Sequence, residues 1–429
     1  MYESLKGKKL LVLGSSEVDA NIVNVAHELG VYVVVVDGIK KSTSTFAKNI
    51  ADESWDIDYT HTEEIGEKCL KSGINGVLAG YSEFRVSAAC KIANYIGSPF
   101  YATLDQIELT RNKRRFKDTC RKFDVHVPFD YEIQSLNNID NIIFPVIVKP
   151  TDAAGRKGIT ICYNEDQLKN AVDLALEYSF SKTIIIEEYV FGKEFVAVYT
   201  IQDGNCSLSC FNEKYLNEEY SSSGLCDLAL SPSSHMQNYI DKAHSNVCRF
   251  LSGIGAQNGV AFFQGISTKD DIYLFEMGYR LNGGNDYFIT EEENGISYMK
   301  MLISHSLTGK MIGDLGKDNP SYSKYYANFL IYSHGGKVGD IEFHGDIKEK
   351  EGLRDIHIKK SKGMIIKEDG TTQQGVFTFK LSSRSIKELI ELIHYCQVNT
   401  EVTDEFGNSL LFRPFNTERL KENYGIISG

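Results

Sequence analysis

A lysine at the end of an apolar strand is the first residue whose position suggests chemistry. The segment VIVKP ends its apolar run at Lys149, and a loop with Gly155, Arg156, Lys157 and Gly158 follows. Small residues let backbone N–H groups approach phosphate oxygens, and lysine supplies a point charge. The pattern GxxxxGK[ST] does not occur in the chain, so this loop is not a P-loop. The cluster predicts phosphate binding, and the alternative is a solvated basic hairpin.

Two adjacent carboxylates form the second cluster, in the segment IIIEEYVFGKEF. Three isoleucines predict a buried strand that stops at Glu187 and Glu188. Carboxylates at the end of an apolar strand are costly unless they are paired or used. Glu194 follows beyond Gly192 and is placed to accept hydrogen bonds from a ribose. The alternative is a charged hairpin turn.

An acidic strand end followed by an arginine forms the third cluster, in YLFEMGYRLNGG. Glu276 ends the strand, Arg280 comes four residues later, and Gly283 and Gly284 follow. A carboxylate beside an arginine is commonly a structural ion pair. Glu276 is equally suited to Mg²⁺, a hard cation that takes oxygen ligands and bridges to substrate phosphates.

The N-terminal hundred residues predict a small doubly wound α/β domain. An apolar run at residues 10–13 is followed by helical spacing up to Gly30 and by a second apolar run at residues 31–36. Strand, helix and parallel strand make a right-handed βαβ unit. The fingerprint GxGxxG is missing after Gly14, so a dinucleotide site is not expected here.

The remaining chain predicts an α+β organisation. Residues 142–201 show strand, glycine loop, strand, helix, strand, turn and strand, and a late helix covers residues 385–395 before a final strand pair. We therefore expect a multidomain α/β and α+β chain, with units at residues 1–105, 106–310 and 311–429.

Composition limits the classes of function. Hydrophobic residues make up 42% and charged residues 24% of the 429-residue chain, which is typical of a folded globular protein. The net charge of −12 argues against nucleic-acid binding. The nine scattered cysteines include no CxxC pair and are expected to be free thiols in a reducing compartment. No signal peptide or membrane span is indicated, which predicts a cytoplasmic protein without a membrane partner.

The order of these clusters resembles the ATP-grasp superfamily, in the branch of carbamoyl-phosphate synthetase large chains, biotin carboxylases and purine-biosynthesis ligases. The resemblance covers about residues 8–310. It implies an N-terminal pre-ATP-grasp domain, a two-lobed ATP-grasp domain and a small C-terminal α+β subdomain.

The resemblance also implies roles for individual residues. Lys113 and Lys149 correspond to phosphate-binding lysines, and residues 153–158 to a mobile flap over the triphosphate. Glu276 corresponds to a metal carboxylate, and Arg280 to the residue that steadies acyl-phosphate charge. The other nucleotide-binding residues implied are Ala154, Gly155, Arg156, Lys157 and Gly158 in the flap, Glu187, Glu188, Tyr189 and Val190 at the adenine, Glu194 at the ribose and Lys214 near the γ-phosphate.

Two departures affect the metal site that the resemblance implies. The family places an acidic residue about twelve positions before Glu276 and an asparagine two positions after it. This chain has Gln264 and Gly278 there. Gln264 offers an amide oxygen without charge, Gly278 has no side chain, and Asn282 is a candidate substitute for the missing amide.

The implied activity is that of an ATP- and Mg²⁺-dependent carboxylate–amine ligase. A small-molecule carboxylate would be activated as an acyl phosphate and passed to an amine, releasing ADP and phosphate. Two alternatives stay open: an enzyme of the bicarbonate or carbamoyl-phosphate kind, and a nucleotide-binding relative with a degenerate metal site. Family members are often dimers, so a homodimer is a further expectation.

Overall fold

The computed structural model describes residues 2–42, 45–131, 141–152, 157–219, 224–284 and 286–426. It contains four β-sheets, and helices cover them. Among the described residues, no helix is both long and apolar enough to cross a lipid bilayer.

The N-terminal unit is a parallel sheet of four strands in the order β3-β2-β1-β4. Its strands are almost continuously apolar because helices cover both faces. Ser16 starts the first helix with a capping box, in which its side chain and that of Asp19 satisfy each other's backbone N–H groups. The elements are β1 (Lys9–Leu13), α1 (Glu17–Glu28), β2 (Tyr32–Val36), α2 (Phe46–Ile50), β3 (Glu53–Trp55), α3 (Thr62–Ser72), β4 (Gly76–Leu78) and α4 (Glu83–Ile96).

A second unit is a small antiparallel sheet in the order β6-β5-β7, with one helix packed on it. Val146 and Val148 of its central strand pack against Leu168 of that helix, which gives the unit a core of its own. Two helices connect it to the N-terminal unit. The elements are α5 (Leu104–Arg111), α6 (Lys113–Lys122), β5 (Val146–Pro150), β6 (Thr160–Cys162), α7 (Glu165–Tyr178) and β7 (Ile184–Glu188).

The largest sheet has eight antiparallel strands in the order β12-β11-β8-β9-β10-β13-β17-β15. Its first half shares a buried core with the N-terminal unit. The elements that build this half are β8 (Lys193–Gln202), β9 (Asn205–Leu216), β10 (Cys226–Ser231), α8 (Met236–Tyr239), α9 (Ser245–Gly253), β11 (Gly259–Ser267), β12 (Ile272–Gly278), α10 (Tyr287–Asn294) and α11 (Tyr298–Thr308).

The C-terminal segment continues the same sheet. Strand β13 pairs with β10, and β17 and β15 follow outward, while a three-stranded sheet, β16-β14-β18, lies beside them. The division near residue 310 remains a prediction, and strand pairing crosses that position. The elements are β13 (Tyr325–Tyr332), β14 (Gly336–Phe343), β15 (Leu353–Ile358), β16 (Ile365–Ile366), β17 (Gly375–Ser383), α12 (Ile386–Val398), β18 (Thr400–Asp404) and α13 (Glu418–Asn423).

The cysteine prediction is wrong for one pair. Cys206 of β9 and Cys248 of α9 are joined as a disulfide, with their Cα atoms 6.2 Å apart. They are 42 positions apart in the chain, and only the packing of α9 near β9 brings them together. The other seven cysteines are free thiols, and all of them are buried except the half-buried Cys226.

Candidate active site

A buried lysine–glutamate pair lies at the end of the small sheet. Lys149 on β5 and Glu187 on β7 stand on the same face of the antiparallel ladder, and the Lys149 Nζ donates to the Glu187 Oε2 at 2.6 Å. The Lys149 ammonium also lies 5.1 Å from the centre of the Phe275 ring. Phe275 belongs to β12 of the large sheet, so this lysine bridges the two sheets.

Lys117 of α6 completes this cluster, and sequence reasoning did not find it. Its Nζ donates to the Glu187 Oε1 at 2.8 Å and contacts Asp130, which also pairs with Arg121. Burial would raise the pKa of Glu187, but Lys149 and Lys117 outweigh it and hold the pKa below its usual value. Lys117 lies between Phe116 and Cys120 on the apolar side of an amphipathic helix, and this position was the sequence feature that indicated its burial.

Lys113 begins α6 one turn before Lys117 and is half-buried. The structure therefore offers two lysines on one helix near the small sheet, at spacing i and i+4. The phosphate-binding role of Lys113 stays a prediction.

The loop after β5 falls partly outside the described residues. Ala154, Gly155 and Arg156 lie there, whereas Lys157 is exposed and Gly158 is buried. Gly158 has φ +72°, and a Cβ on it would lie 2.9 Å from the Pro150 Cγ, so only glycine suits the position.

The segment predicted to contact adenine, residues 187–190, covers the end of β7 and the two residues after it. The Glu188 N–H donates to the Phe129 carbonyl at 2.9 Å, and the Glu188 side chain accepts from the Phe129 N–H. The Tyr189 N–H donates to the Pro145 carbonyl. Val190 makes no backbone–backbone hydrogen bond to any residue in the described ranges.

The predicted metal and ribose residues stand together on one face of the large sheet. Gln264 on β11 lies directly opposite Glu276 on β12. The Lys214 Nζ lies 3.1 Å from a Glu194 carboxylate oxygen and 3.5 Å from the Gln264 Oε1. The sheet thus joins Glu194, Lys214, Gln264 and Glu276 in one row of polar side chains across four strands.

Arg280 follows β12 and reaches the N-terminal unit. Its Nε donates to the Glu83 Oε1 at 2.7 Å, and its guanidinium stacks 4.9 Å from the centre of the Phe262 ring. Glu83 is the first residue of α4. The arginine is therefore held in one orientation by an ion pair and a ring.

A buried network of amides lies next to Arg280. The Asp286 carboxylate accepts from the amide groups of Asn282, Asn212 and Asn328 at 2.8, 2.9 and 3.3 Å. Burial raises the pKa of Asp286, and these amides lower it only in part. The Asn282 Oδ1 is buried without a hydrogen-bond partner among the described residues. An unpaired amide oxygen suits a cation ligand or a donor on a substrate.

Arg280 and the three asparagines of this network border a cavity of about 300 Å³. Seven strands of the large sheet contribute to its wall, which requires the sheet to curve around it. Gln264, Arg280, Asn282 and the Gly283-Gly284 backbone line one side, and residues of β15 and β17 line the other.

The glycine at position 278 has a packing reason. A Cβ there would lie 2.4 Å from the Phe262 Cε1, and Phe262 carries Arg280 on its ring. An asparagine, which the resemblance places at this position, would displace the ring.

We expect Gly278→Ala to lower the free energy of unfolding by about 1–3 kcal/mol through overpacking, measured by urea denaturation. Gly283→Ala is the control because no atom lies within 4 Å of its added Cβ, and equal stability of the two variants would contradict the prediction.

Comparisons with known proteins agree with this geometry. Residues 112–307 match the family model of the carbamoyl-phosphate synthase L chain, ATP binding domain. The chain is 23% identical over 336 residues to the carbamoyl phosphate synthase large chain of Clostridium beijerinckii, covering 73% of this chain and 30% of that protein. It is 27% identical over 280 residues to the formate-dependent phosphoribosylglycinamide formyltransferase of Prochlorococcus marinus, covering 61% and 68%.

Solved structures share the fold across almost the whole chain. The L-amino acid ligase of Bacillus licheniformis superimposes with a TM-score of 0.79 at 16% identity, covering 93% of this chain and 99% of that one. The biotin carboxylase domain of the Hydrogenobacter thermophilus 2-oxoglutarate carboxylase, described as a dimer in complex with MgADP and bicarbonate, gives 0.74 at 18% identity and covers 92% and 90%.

The fold and the matched segment are similar to those of ATP-grasp proteins. More particularly, residues 112–307 are similar to the ATP-binding domain of the carbamoyl-phosphate synthase L chain. The predicted resemblance to the ATP-grasp superfamily and the predicted fold class are confirmed. The chain aligns with 30% of the length of the Clostridium beijerinckii carbamoyl phosphate synthase large chain.

Proposed function

We propose that this chain is an ATP-dependent carboxylate–amine ligase that works through an acyl phosphate and releases ADP and phosphate. One observation carries the proposal: the Lys149 ammonium lies 5.1 Å from the centre of the Phe275 ring, and Phe275 is the extra residue of an irregularity in β12 next to Glu276, where the regular alternation of side chains is interrupted. A lysine suited to phosphate and a carboxylate suited to Mg²⁺ thereby face one cleft between the two sheets. The cavity with Arg280 lies on the same face of the large sheet as Gln264, which stands opposite Glu276.

The side chains fit one magnesium ion better than two. Glu276 supplies a carboxylate, Gln264 an amide oxygen, and Asn282 a buried amide oxygen that has no partner among the described residues. A bound Mg²⁺ would offset charge on the ATP phosphates. The other nucleotide contacts proposed are Lys113, Lys149, Glu187, the backbone from Glu188 to Val190, Glu194 and Lys214.

The chain's own residues suit the transfer. Lys149 has three N–H donors, and its bond to Glu187 uses one of them, which leaves others for phosphate oxygens. Arg280 and the Gly283-Gly284 backbone would hold the substrate carboxylate while it attacks the γ-phosphate, and ADP leaves. The amine then attacks the acyl carbon, and phosphate leaves with the electron pair of the broken bond.

Calorimetric titration of ATP with and without Mg²⁺, followed by phosphate release with mixed amino acids, tests the proposal. Lys149→Ala should abolish magnesium-dependent binding, whereas Lys169→Ala, an exposed lysine on α7 of the same lobe, should leave it unchanged. Stimulated phosphate release with an amine and a carboxylate together supports the ligase.

The same samples separate the alternatives. Release that depends on bicarbonate would favour an enzyme of the carbamoyl-phosphate kind, and binding without release would favour a degenerate nucleotide-binding relative. No ATP binding at all would overturn the proposal. Light scattering during these titrations also tests the proposed homodimer, which is the state described for the Hydrogenobacter thermophilus biotin carboxylase domain.

A further inference from the structure

Four cationic side chains line the cavity beside Arg280. They are Lys214, Arg280, Lys359 and Lys380, and none of the described residues that line it is an aspartate or a glutamate. Carboxylates behind the lining pair with three of these cations, and the buried Asp286 also interacts with Lys380, which leaves Lys359 as the cation available to an anionic ligand.

The cations at the two sides of the cavity differ in their partners. Lys214 pairs with Glu194, and Arg280 pairs with Glu83. Lys359 forms no ion pair and no side-chain hydrogen bond with any residue in the part of the chain that the structure describes. Burial lowers the pKa of Lys359, and Glu17 at the start of α1 opposes this only in part. Lys359 is half-buried, so its ammonium is partly desolvated and gains from a ligand that supplies the counter-charge.

A second polar side chain in this part of the cavity lies beside Lys359. The His357 Nε2 is buried and has no hydrogen-bond partner among the described residues. His357 lies near the end of β15, two positions before Lys359, and the Lys359 N–H continues the β15–β17 ladder to the Val376 carbonyl. Side chains two positions apart on a strand share a face, so both project to the same side.

Strand β17 contributes two more groups to this side. Thr378 lies directly opposite His357, and Lys380 is the next residue on the same face. Lys380 is 3.7 Å from the exposed carboxylate of Asp355, which is a long and partly solvated pairing. Together His357, Lys359, Thr378 and Lys380 form what we call the basic end of the cavity.

The basic end is separate from Arg280. Arg280 follows β12 at one edge of the large sheet, whereas Lys359 follows β15 at the other edge. The sheet curves so that both reach one cavity of about 300 Å³, a size suited to a small metabolite. Two separate cationic sites in one small cavity suit a ligand that carries two anionic groups.

We propose that the basic end binds a second anionic group, a carboxylate or a phosphate, on the substrate whose reacting carboxylate Arg280 holds. This inference rests on the proposed ligase function and names its substrate class. Lys359, Lys380 and Thr378 donate hydrogen bonds to the anion, and the neutral His357 ring donates a further one in the tautomer that carries its proton on Nε2. Charge-assisted hydrogen bonds of this kind select a dianion over a monoanion of similar size.

The test is a calorimetric titration of the full chain at constant pH and ionic strength with inorganic phosphate, succinate and acetate. Phosphate or succinate should bind at least about 10-fold more tightly than acetate. Lys359→Met should weaken that binding about 10–100-fold, which corresponds to losing one or two hydrogen bonds to a charged group. Lys362→Gln is the matched control, since this lysine is 73% exposed and pairs with Asp340 outside the cavity.

The outcomes separate this inference from the ligase proposal. Preference for phosphate or for succinate supports the inference and identifies the second group. Equal binding of all three anions, or equal affinity in Lys359→Met and the wild type, overturns it. His357→Leu, titrated in the same way, replaces Lys359→Met should that variant lose its native thermal transition. Failure of the ligase proposal would appear only as absent ATP binding or absent phosphate release, which these titrations do not measure.

Discussion

Glu187→Gln is expected to lower the free energy of unfolding by about 3–5 kcal/mol, because it removes one partner from a buried ion cluster. Glu187 is fully buried, and its two carboxylate oxygens each accept a hydrogen bond from a lysine, Lys117 or Lys149. The neutral amide would leave two ammonium groups enclosed with too little negative charge. Urea denaturation at pH 7, followed by circular dichroism, measures the change.

Glu188→Gln is the control for this prediction. Its side chain accepts a hydrogen bond from the Phe129 N–H in a more exposed place, and an amide oxygen preserves that bond. The cost should stay under about 1 kcal/mol. A loss of stability in Glu187→Gln that is no larger than in Glu188→Gln would contradict the prediction.

The pH dependence follows from the lowered pKa of Glu187. A carboxyl whose pKa falls on folding adds stability that is fully present above its unfolded pKa, near 4.5. That stability is lost as the pH drops through the lower folded value. The difference in stability between the wild type and Glu187→Gln should therefore be constant from pH 7 to about 5 and shrink below pH 4.5. A difference that grows on acidification would contradict this assignment.

Arg280→Met is expected to lower kcat by about 10²–10³-fold, the usual effect of removing a donor that stabilises developing charge. The arginine lines the cavity and is oriented by Glu83 and by the Phe262 ring. ATP affinity should change little, because the predicted adenine contacts and Lys149 lie on the small sheet. Phosphate release with saturating substrates measures kcat, and ATP titration measures affinity.

Two variants sharpen this second prediction. Glu83→Gln keeps Arg280 but weakens its orientation, so it should lower kcat less than Arg280→Met. Arg249→Met removes a 55% exposed arginine that pairs with Asp124 on the surface, and it should leave kcat unchanged. A large effect on ATP affinity together with an unchanged kcat in Arg280→Met would assign the arginine to the nucleotide instead.

Local sequence patterns predicted the positions at which a charged residue terminates an apolar strand. Lys149, Glu187 and Glu276 were all found in this way, because hydrophobic runs identify strands and a charge at their end marks an edge of the sheet. The structural ion pair considered for Glu276 and Arg280 involves another carboxylate, because Arg280 pairs with Glu83. Lys149 and Glu187, for which hairpin turns were the alternatives, pair with each other. The same local reasoning did not find Lys117 or His357, since nothing near them in the chain shows what they face.

The C-terminal strands illustrate the same limit. Residues of β17 alternate between apolar and polar, with Phe377 and Phe379 on the core side and Thr378 and Lys380 on the other. Such alternation usually means that the polar face meets solvent. Here that face lines the cavity, because β13 pairs with β10 and carries β17 into the same curved sheet.

The sequence by itself determined the resemblance to the ATP-grasp superfamily, the fold class and the order of sheet-building segments, since these depend on residues close together in the chain. Tertiary structure decided the partners: Lys117 meets Glu187 across 70 positions, and Arg280 meets Glu83 across 197. It also decided that β15 and β17 close the cavity with Lys359 and His357. The physical reason is that hydrophobic periodicity encodes each element's buried face, whereas the pairing of distant strands and helices depends on the packing of the whole core.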